Sequence, residues 1–325
     1  MRLLSGMQPS GEALHLGNYF GALRQWVALQ EKYEEALWFI ADYHSMTTVR
    51  DPAIRRRYTF ATALDYLAAG IDPERSIVYR QSDVPEVCEL AWLLGTVTPM
   101  GMLERAHAYK DKIAQGQSAE AGLFNYPLLM AADILLPRSE LVPVGQDQKQ
   151  HLEMTRDIAQ RFNQTYGVEA LTLPEAYILE DVAVVPGTDG RKMSKSYGNT
   201  IPMFESEKVI KKAVMGIVTD STPVADPKDP QAVVFQLWSL FASEAERGEM
   251  AERAVRGGLG YGEVKKDLLA RLLETFASMR ERRAYYAERP DEVEEILARG
   301  AERARALAAP VLDGCRRAAG VGPPS

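Results

Sequence analysis

Lys192-Met193-Ser194-Lys195-Ser196 places two ammonium groups and two hydroxyls within five residues, directly after Gly187-Thr188-Asp189-Gly190-Arg191. Such a loop is short, cationic and free to bend, and it can close on the oxygens of a polyphosphate. Far upstream, Gln8-Pro9-Ser10-Gly11 leads into His15-Leu16-Gly17-Asn18, between a short apolar strand and a helix. Gly11 and Gly17 let backbone approach a ligand without a Cβ, and a helix that opens at Gly17 favours an anion at its N-terminus. His15 and Asn18 can donate to a triphosphate or a ribose. Taken singly, the first segment also fits a plain strand-to-helix turn with a capping Asn, and the second a solvated lysine loop. No Gly-x-x-x-x-Gly-Lys-Ser/Thr run occurs, which excludes a Walker-type phosphate loop.

Two further constellations carry chemistry. Tyr126-Pro127-Leu128-Leu129-Met130-Ala131-Ala132-Asp133-Ile134-Leu135-Leu136 sets one acid inside an apolar helix. Burying Asp133 is costly unless a donor satisfies it, and a carboxylate there can accept from an indole N–H, which is a donor only. A helix-surface Asp or a local cap is the plainer alternative. Val142-Pro143-Val144-Gly145-Gln146-Asp147-Gln148-Lys149-Gln150-His151 follows at the carboxyl end of a strand, the ligand-facing edge of an open sheet. Gly145 permits close approach, and Asp147 can hold a ribose hydroxyl or a substrate ammonium.

The elements that must position these groups alternate through the first half, as a parallel sheet with crossover helices does. Leu3 to Met7 reads as a strand, Gly17 to Glu31 as a helix, and Ala36 to Ala41 as a buried strand. Pro52 to Ala69 reads as a helix with Asp51 as cap and Gly70 as stop. Ser76 to Arg80 is the next strand. Pro85 to Ala114 is a mostly helical insertion, Tyr126 to Leu136 an apolar helix, Leu141 to Gly145 the last clear strand, and Gln148 to Phe162 a helix. From Glu205 onward the segments are helical and broken at Asp220 to Pro230 and Gly257 to Gly262. The boundary is placed near 198–205, and the helix after Asp291 is left to either half. The expected fold class is α/β, a Rossmann-like doubly wound parallel sheet with a helical C-terminal domain.

Composition narrows the classes. The 325 residues exceed one average domain, and 46% hydrophobic with 26% charged content reads as a soluble globular protein. No stretch approaches the roughly 20 apolar residues of a membrane span, and Met1 to Gly6 breaks too early for a signal peptide. Cys88 and Cys315 read as reduced thiols, so a cytoplasmic location is expected. The four histidines form no metal-ligand spacing, so no protein-held metal is expected. A net charge of −7 disfavours a nucleic-acid coat but leaves room for a local basic surface. Candidate patches are Arg55 to Arg57, Lys211-Lys212, Lys265-Lys266, Arg280 with Arg282-Arg283, and Arg316-Arg317, each also readable as a solvated helix face.

Taken in this order, His15 to Asn18 and Lys192 to Ser196 resemble the HIGH and KMSKS signatures of the class I aminoacyl-tRNA synthetases. The rest of the chain is similar to the bacterial-type tryptophanyl branch. The similarity runs through Gly6 to Gly11, Asp42-Tyr43-His44, Tyr126 to Leu136, Val144 to His151, Arg156-Asp157, Arg161 to Asn163 and the Lys192 loop. Asn18, where most of the class carries His, points the same way.

The resemblance implies that Gln8, Pro9, Ser10, Gly17, Asn18, Gly145, Gln146, Asp147 and Lys192, Met193, Ser194, Lys195, Ser196 contact ATP. It implies Val184 beside the adenine and Lys112 on a phosphate, so that Lys192, Lys195 and Lys112 are the catalytic set. It further implies that Asp133 reads the indole nitrogen, with Tyr126, Met130, Gln148 and His44 around L-tryptophan. Mg²⁺ would travel with the ATP phosphates, and tRNA(Trp) would be the second substrate. Residues 1–200 would form the catalytic domain, with a dimerisation insertion at about 84–125 making a homodimer, and 205–325 the anticodon-binding domain. One departure is Leu4, where relatives often carry Phe before the Ser-Gly. A tyrosyl-tRNA synthetase and a non-catalytic RNA-binding relative are the alternative readings.

Overall fold

The computed structural model describes residues 1–106, 109, 120–145, 149–178 and 184–322. Among these residues, five strands form one parallel sheet: β1 (Arg2–Met7), β2 (Glu35–Ile40), β3 (Ile77–Arg80), β4 (Leu141–Val144) and β5 (Glu175–Ile178). Their order is β3-β2-β1-β4-β5, so the chain winds outward from β1 in both directions. This is the doubly wound α/β arrangement expected from the sequence, and its switch point lies between β1 and β4. In such sheets ligands settle in the crevice beyond the carboxyl ends of the strands flanking that point.

Parallel strands are covered on both faces, and β2 shows it: from Ala36 to Ile40 every residue is buried. Leu3 and Leu4, neighbours on β1, point to opposite faces and seed two apolar cores. One core packs α1 (Arg24–Lys32) and α2 (Pro52–Ala69) on the sheet. There Trp26 stacks on Trp38 with ring centroids 5.0 Å apart. The other packs α3 (Glu86–Gly95), α4 (Ala121–Leu135) and α5 (Lys149–Tyr166). Leu4 belongs to this second core with Leu37, Phe39 and Val142. The local signals of α2 are explicit: Asp51 accepts from the Ala53 and Ile54 amides at 2.8 and 2.9 Å, and Gly70 leaves the helix at φ 107°.

The second half supplies α6 (Glu207–Met215), α7 (Val233–Ser239), α8 (Glu244–Arg256), α9 (Tyr261–Thr275), α10 (Ala277–Ala287) and α11 (Pro290–Ala319). The apolar faces of α6 to α10 and the start of α11 join the first core, which runs on through Met193 and Ile201 to Val234, Leu268, Phe276 and Leu297, while α11 from Ala301 to Cys315 joins the second. The thirty-residue α11 returns to the sheet and lies along edge strand β3. Gly300 makes that approach possible, since a Cβ there would overlap the Val78 carbonyl. Arg303 donates to the Ser76 carbonyl at 3.1 Å, Glu294 pairs with Arg80 at 2.7 Å, and Arg316 pairs with Glu89 at 2.5 Å. The edge strand is thereby covered.

Two features differ from the sequence reading. β5, which lies beyond Gly145, is a further strand whose residues, Glu175-Ala176-Tyr177-Ile178, lack the β-branched apolar run of β3 and β4. The expected helix from Gly17 is interrupted by a π turn at Tyr19–Leu23 before α1 begins. Among its described residues the insertion buries most of the apolar ones within the chain. Val84, Val87, Leu90, Leu93, Leu94 and Met102 are all core, whereas Trp92 stays 75% exposed.

Candidate active site

The segment after β1 is held at the carboxyl edge by its neighbours. The Met7 amide donates to the Tyr66 hydroxyl at 3.0 Å, and Ala41 donates back to the Met7 carbonyl at 2.9 Å. Gln8 reaches the Thr48 hydroxyl at 2.9 Å, Pro9 is buried, and Ser10 is exposed. The chain then turns through Gly11 to His15, where Asn18 accepts from the His15 amide at 3.2 Å and starts the helical turn.

The lysine loop is a hydrogen-bonded structure. Met193 donates its amide to the Val185 carbonyl at 3.0 Å, and Pro186 and Lys192 form an antiparallel bridge. Asn199, 2% exposed, organises the rest: its amide donates to Asp189 at 2.7 Å and to the Lys192 carbonyl at 3.2 Å, and its oxygen accepts from the Ser194 amide at 2.8 Å. These contacts, the Asn199 donor first, hold the Asp189 carboxyl below its usual range. Ser194 and Ser196 share a hydroxyl contact at 2.9 Å, Lys195–Tyr197 form a single tight turn, and Gly198 closes it at φ 64°. Lys192 and Ser196 are exposed, Met193 is buried, Val184 is 67% exposed and Gly145 is half-buried at the end of β4.

The two loops meet. The Gly17 amide points at the Met193 sulfur, 3.4 Å away, while Leu16 donates to the Ile201 carbonyl at 3.0 Å and Met203 to the Leu14 carbonyl at 3.2 Å. A Cβ on Gly11 would collide with the Lys195 ammonium, so that group rests on bare backbone. His15 is pressed into the same corner. Burial first, and the Lys195 charge second, lower its pKa to about 4, so the ring is neutral. Its Nδ1 is buried with no partner. Burial likewise pulls the Lys195 ammonium below its usual range, with Asp65 acting in the opposite direction.

A second cluster stands at the ends of β2 and β3. Asp133, 3% exposed on α4, takes the Gln81 amide at 2.8 Å on both oxygens and faces His44 Nε2 at 2.9 Å. Gln81 in turn accepts from the Tyr43 and His44 amides at 3.1 and 3.4 Å. Desolvation raises the Asp133 carboxyl, and the His44 contact offsets part of that. Tyr126 bonds His151 and lies edge-on to His44, with centroids 6.3 Å apart. Burial lifts its hydroxyl to about 12, which keeps it a neutral donor. Met130 is half-buried against the same core. A cleft of about 700 Å³ opens beside this cluster, lined by His44, Tyr126, Trp92, Leu123 and Leu128.

Of the residues singled out from sequence, Gly17, Met193 and Lys195 are brought together around the first loop, and Asp133, His44 and Tyr126 in the second cluster. Lys112, Gln146, Asp147 and Gln148 lie outside the described residues. Gln81, Asn199 and His151 were missed as site residues. The sheet-edge rule points to Gln81, which directly follows β3.

Residues 1–277 match the family described as tRNA synthetases class I (W and Y). The chain belongs to that family. It is 52% identical over 307 residues to the tryptophan--tRNA ligase of Fusobacterium nucleatum, with 94% of each chain covered. It is 53% identical over 322 residues to that of Rhodopirellula baltica, with 99% and 100% covered. The tryptophanyl-tRNA synthetase of Campylobacter jejuni, solved in complex with ADP and tryptophan, superposes with a TM-score of 0.91 at 49% identity, over 99% of this chain and 100% of that one. For a class I synthetase the arrangement has a chemical logic. The joint of the two loops gathers a neutral imidazole, a helix-turn amide and the Lys195 ammonium in one corner.

Proposed function

We propose that this protein activates L-tryptophan with ATP and transfers it to tRNA(Trp). The observation that carries the reading is the identity of about half of all residues, along nearly the whole chain, to several proteins named tryptophan--tRNA ligase. The meeting of the Gly17 and Met193 loops at the switch point supports it.

ATP enters as its Mg²⁺ complex, with the adenosine over Gly17 and Gly145 and the phosphates toward Lys192 and Lys195. Gln8, Pro9, Ser10, Asn18, Val184, Met193, Ser194 and Ser196 complete the site, together with Lys112, Gln146 and Asp147. The tryptophan carboxylate attacks the α-phosphorus in line. A carboxylate O–P bond forms as the bond to the departing pyrophosphate breaks, and no protein nucleophile takes part. Catalysis is then positioning plus stabilisation of charge on the leaving group. Asp133 takes the indole N–H between His44, Tyr126, Met130 and Gln148. In the second step a terminal ribose hydroxyl of the tRNA attacks the adenylate carbonyl and releases AMP.

Residues 1–200 act as the catalytic part and 205–325 as the anticodon-reading part. Two copies join across the exposed face of the 84–125 insertion. Trp92 at 75% and Met100 at 63% exposure are its apolar anchors, with Met46 at 48% lining the same cleft. No helix among the described residues is long and apolar enough to cross a membrane, and the proposed task belongs in the cytoplasm. The test is aminoacylation of tRNA(Trp) with labelled tryptophan. Charged tRNA(Trp) is expected, and charging of a tyrosine tRNA in its place would overturn the assignment.

A further inference from the structure

Beyond the residues that meet substrate, α2 contains a buried acid that the reaction scheme does not use. Asp65 is 1% exposed, and its helix neighbours from Ala61 to Ala69 are buried as well. Its Oδ2 accepts the Leu14 amide at 2.7 Å, and its Oδ1 accepts Arg283 Nε from α10 at 2.6 Å. Arg283 continues to the Glu12 carbonyl at 2.9 Å and lies over the Phe204 ring at 5.4 Å. One carboxylate and one guanidinium therefore hold the 11–15 loop at two backbone points, although Asp65 and Arg283 stand 218 residues apart. On the other side of that loop the Lys195 ammonium sits against Gly11, within electrostatic reach of Asp65.

We propose that Asp65 is a positioning residue for adenylate formation: it fixes the 11–15 loop against α10 and is the buried counter-charge that sets where Lys195 rests. A buried ion pair adds little stability over an apolar pair of the same shape. Its effect here is on placement. Burial pushes the Asp65 carboxyl up to about 6, while Arg283, the Leu14 amide and Lys195 pull it back down. Lys195 thus favours the ionised form of Asp65, and Asp65 in return favours the charged form of Lys195. Through Arg283 the same carboxylate connects a helix of the C-terminal half to the loop beneath the nucleotide, a physical contact by which that half can bias the site.

The inference rests on the reading of Lys195 as a pyrophosphate contact, and a double-mutant cycle separates the two. Adenylate formation would be measured for the native enzyme, Asp65→Asn, Lys195→Ala and the double variant, with thermal unfolding recorded for each. Asn retains one acceptor, for the Leu14 amide, and removes the charge together with the oxygen to which Arg283 Nε donates. In the native background kcat is expected to fall by roughly ten- to a hundredfold, as for a slightly misplaced group. KM for tryptophan should hold. In the Lys195→Ala background the same change should cost less than about twofold, because the two residues act as one unit. Equal losses in both backgrounds, or no loss in the first, would overturn the proposal. If Asp65→Asn does not fold, Arg283→Gln carries the same cycle from the half-exposed side with the same two outcomes. A native enzyme that forms no tryptophanyl-adenylate refutes the functional reading itself; a native enzyme that does, with an additive cycle, refutes only the role of Asp65.

Discussion

The Gly17 amide and the Met193 sulfur lie 3.4 Å apart across 176 residues of sequence. Gly17 opens the helical turn that follows β1, and Met193 is the buried member of the lysine loop. Around this contact Leu14, Leu16, Ile201 and Met203 exchange backbone hydrogen bonds, so the two loops are joined as a short antiparallel pair. The position of Lys195 over Gly11 follows from that joint, and the lysine is placed by a lattice of backbone bonds as much as by its own loop.

Asn199 is predicted to be the residue that gives the lysine loop its shape. Asn199→Ala removes one acceptor and two donated bonds at a buried position and leaves the Ser194 amide and Lys192 carbonyl without their partner. Each buried polar group so stranded costs about 1–3 kcal/mol. KM for ATP should rise and the activation rate fall, while KM for tryptophan stays within about twofold. Steady-state exchange kinetics give both constants. Unchanged ATP kinetics would mean that the loop holds its shape without Asn199.

His15 is predicted to make stability depend on pH in a defined direction. Its ordinary value of 6.5 is lowered to about 4 in the folded protein, chiefly by burial. Between those values the unfolded chain binds a proton that the folded chain refuses. Stability from this group is therefore complete above about 6.5 and lost as pH falls toward 4, by roughly 3 kcal/mol at most. Asp65 runs the other way: its carboxyl is raised from 3.8 to about 6, so its contribution grows as pH falls through that range. The two partly cancel, and a difference measurement isolates His15. Urea unfolding of the native protein and His15→Asn from pH 7 to pH 4 should show the native protein losing ground relative to the variant. A gap that stays constant with pH would show that His15 titrates alike in both states.

Asp133 is predicted to set the amino-acid preference. The carboxylate is already held by Gln81 and His44, so its direction is fixed before any ligand arrives. An analogue of tryptophan whose ring nitrogen carries no proton sets a lone pair, not a donor, against that carboxylate. It should be rejected by on the order of 10⁴ in kcat/KM in the favourable limit. In Asp133→Ala the ratio should collapse while KM for ATP changes little. The same ratio in both proteins would assign indole reading to another group.

Local signals were legible wherever the partner was close in sequence. Asp51, Pro52 and Gly70 mark both ends of α2, and the run from Ala36 to Ile40 could only be a covered strand. The lysine loop and the Gly17 turn were legible from residue type. What could not be read depends on distant partners. Gln81 becomes a site residue through Asp133, 52 positions away, and its place after β3 says only that it lies at the ligand edge. Asn199 looks like an ordinary loop residue until Ser194 and Asp189 are folded around it. Asp65 offers the instructive case. It is a single acid in an apolar helix, the same pattern that marked Asp133, yet its partner Arg283 read only as part of a basic patch. The insertion was legible as helical, but not which of its apolar residues the core covers and that Trp92 stays exposed.

ATP–pyrophosphate exchange with the two amino acids decides whether this member of the tryptophan and tyrosine group activates tryptophan. Rapid exchange is expected with L-tryptophan, and exchange with L-tyrosine lower in kcat/KM by at least roughly 10³, since a site built around a buried acceptor rejects a ligand that cannot reach it. Faster exchange with tyrosine than with tryptophan would contradict the assignment.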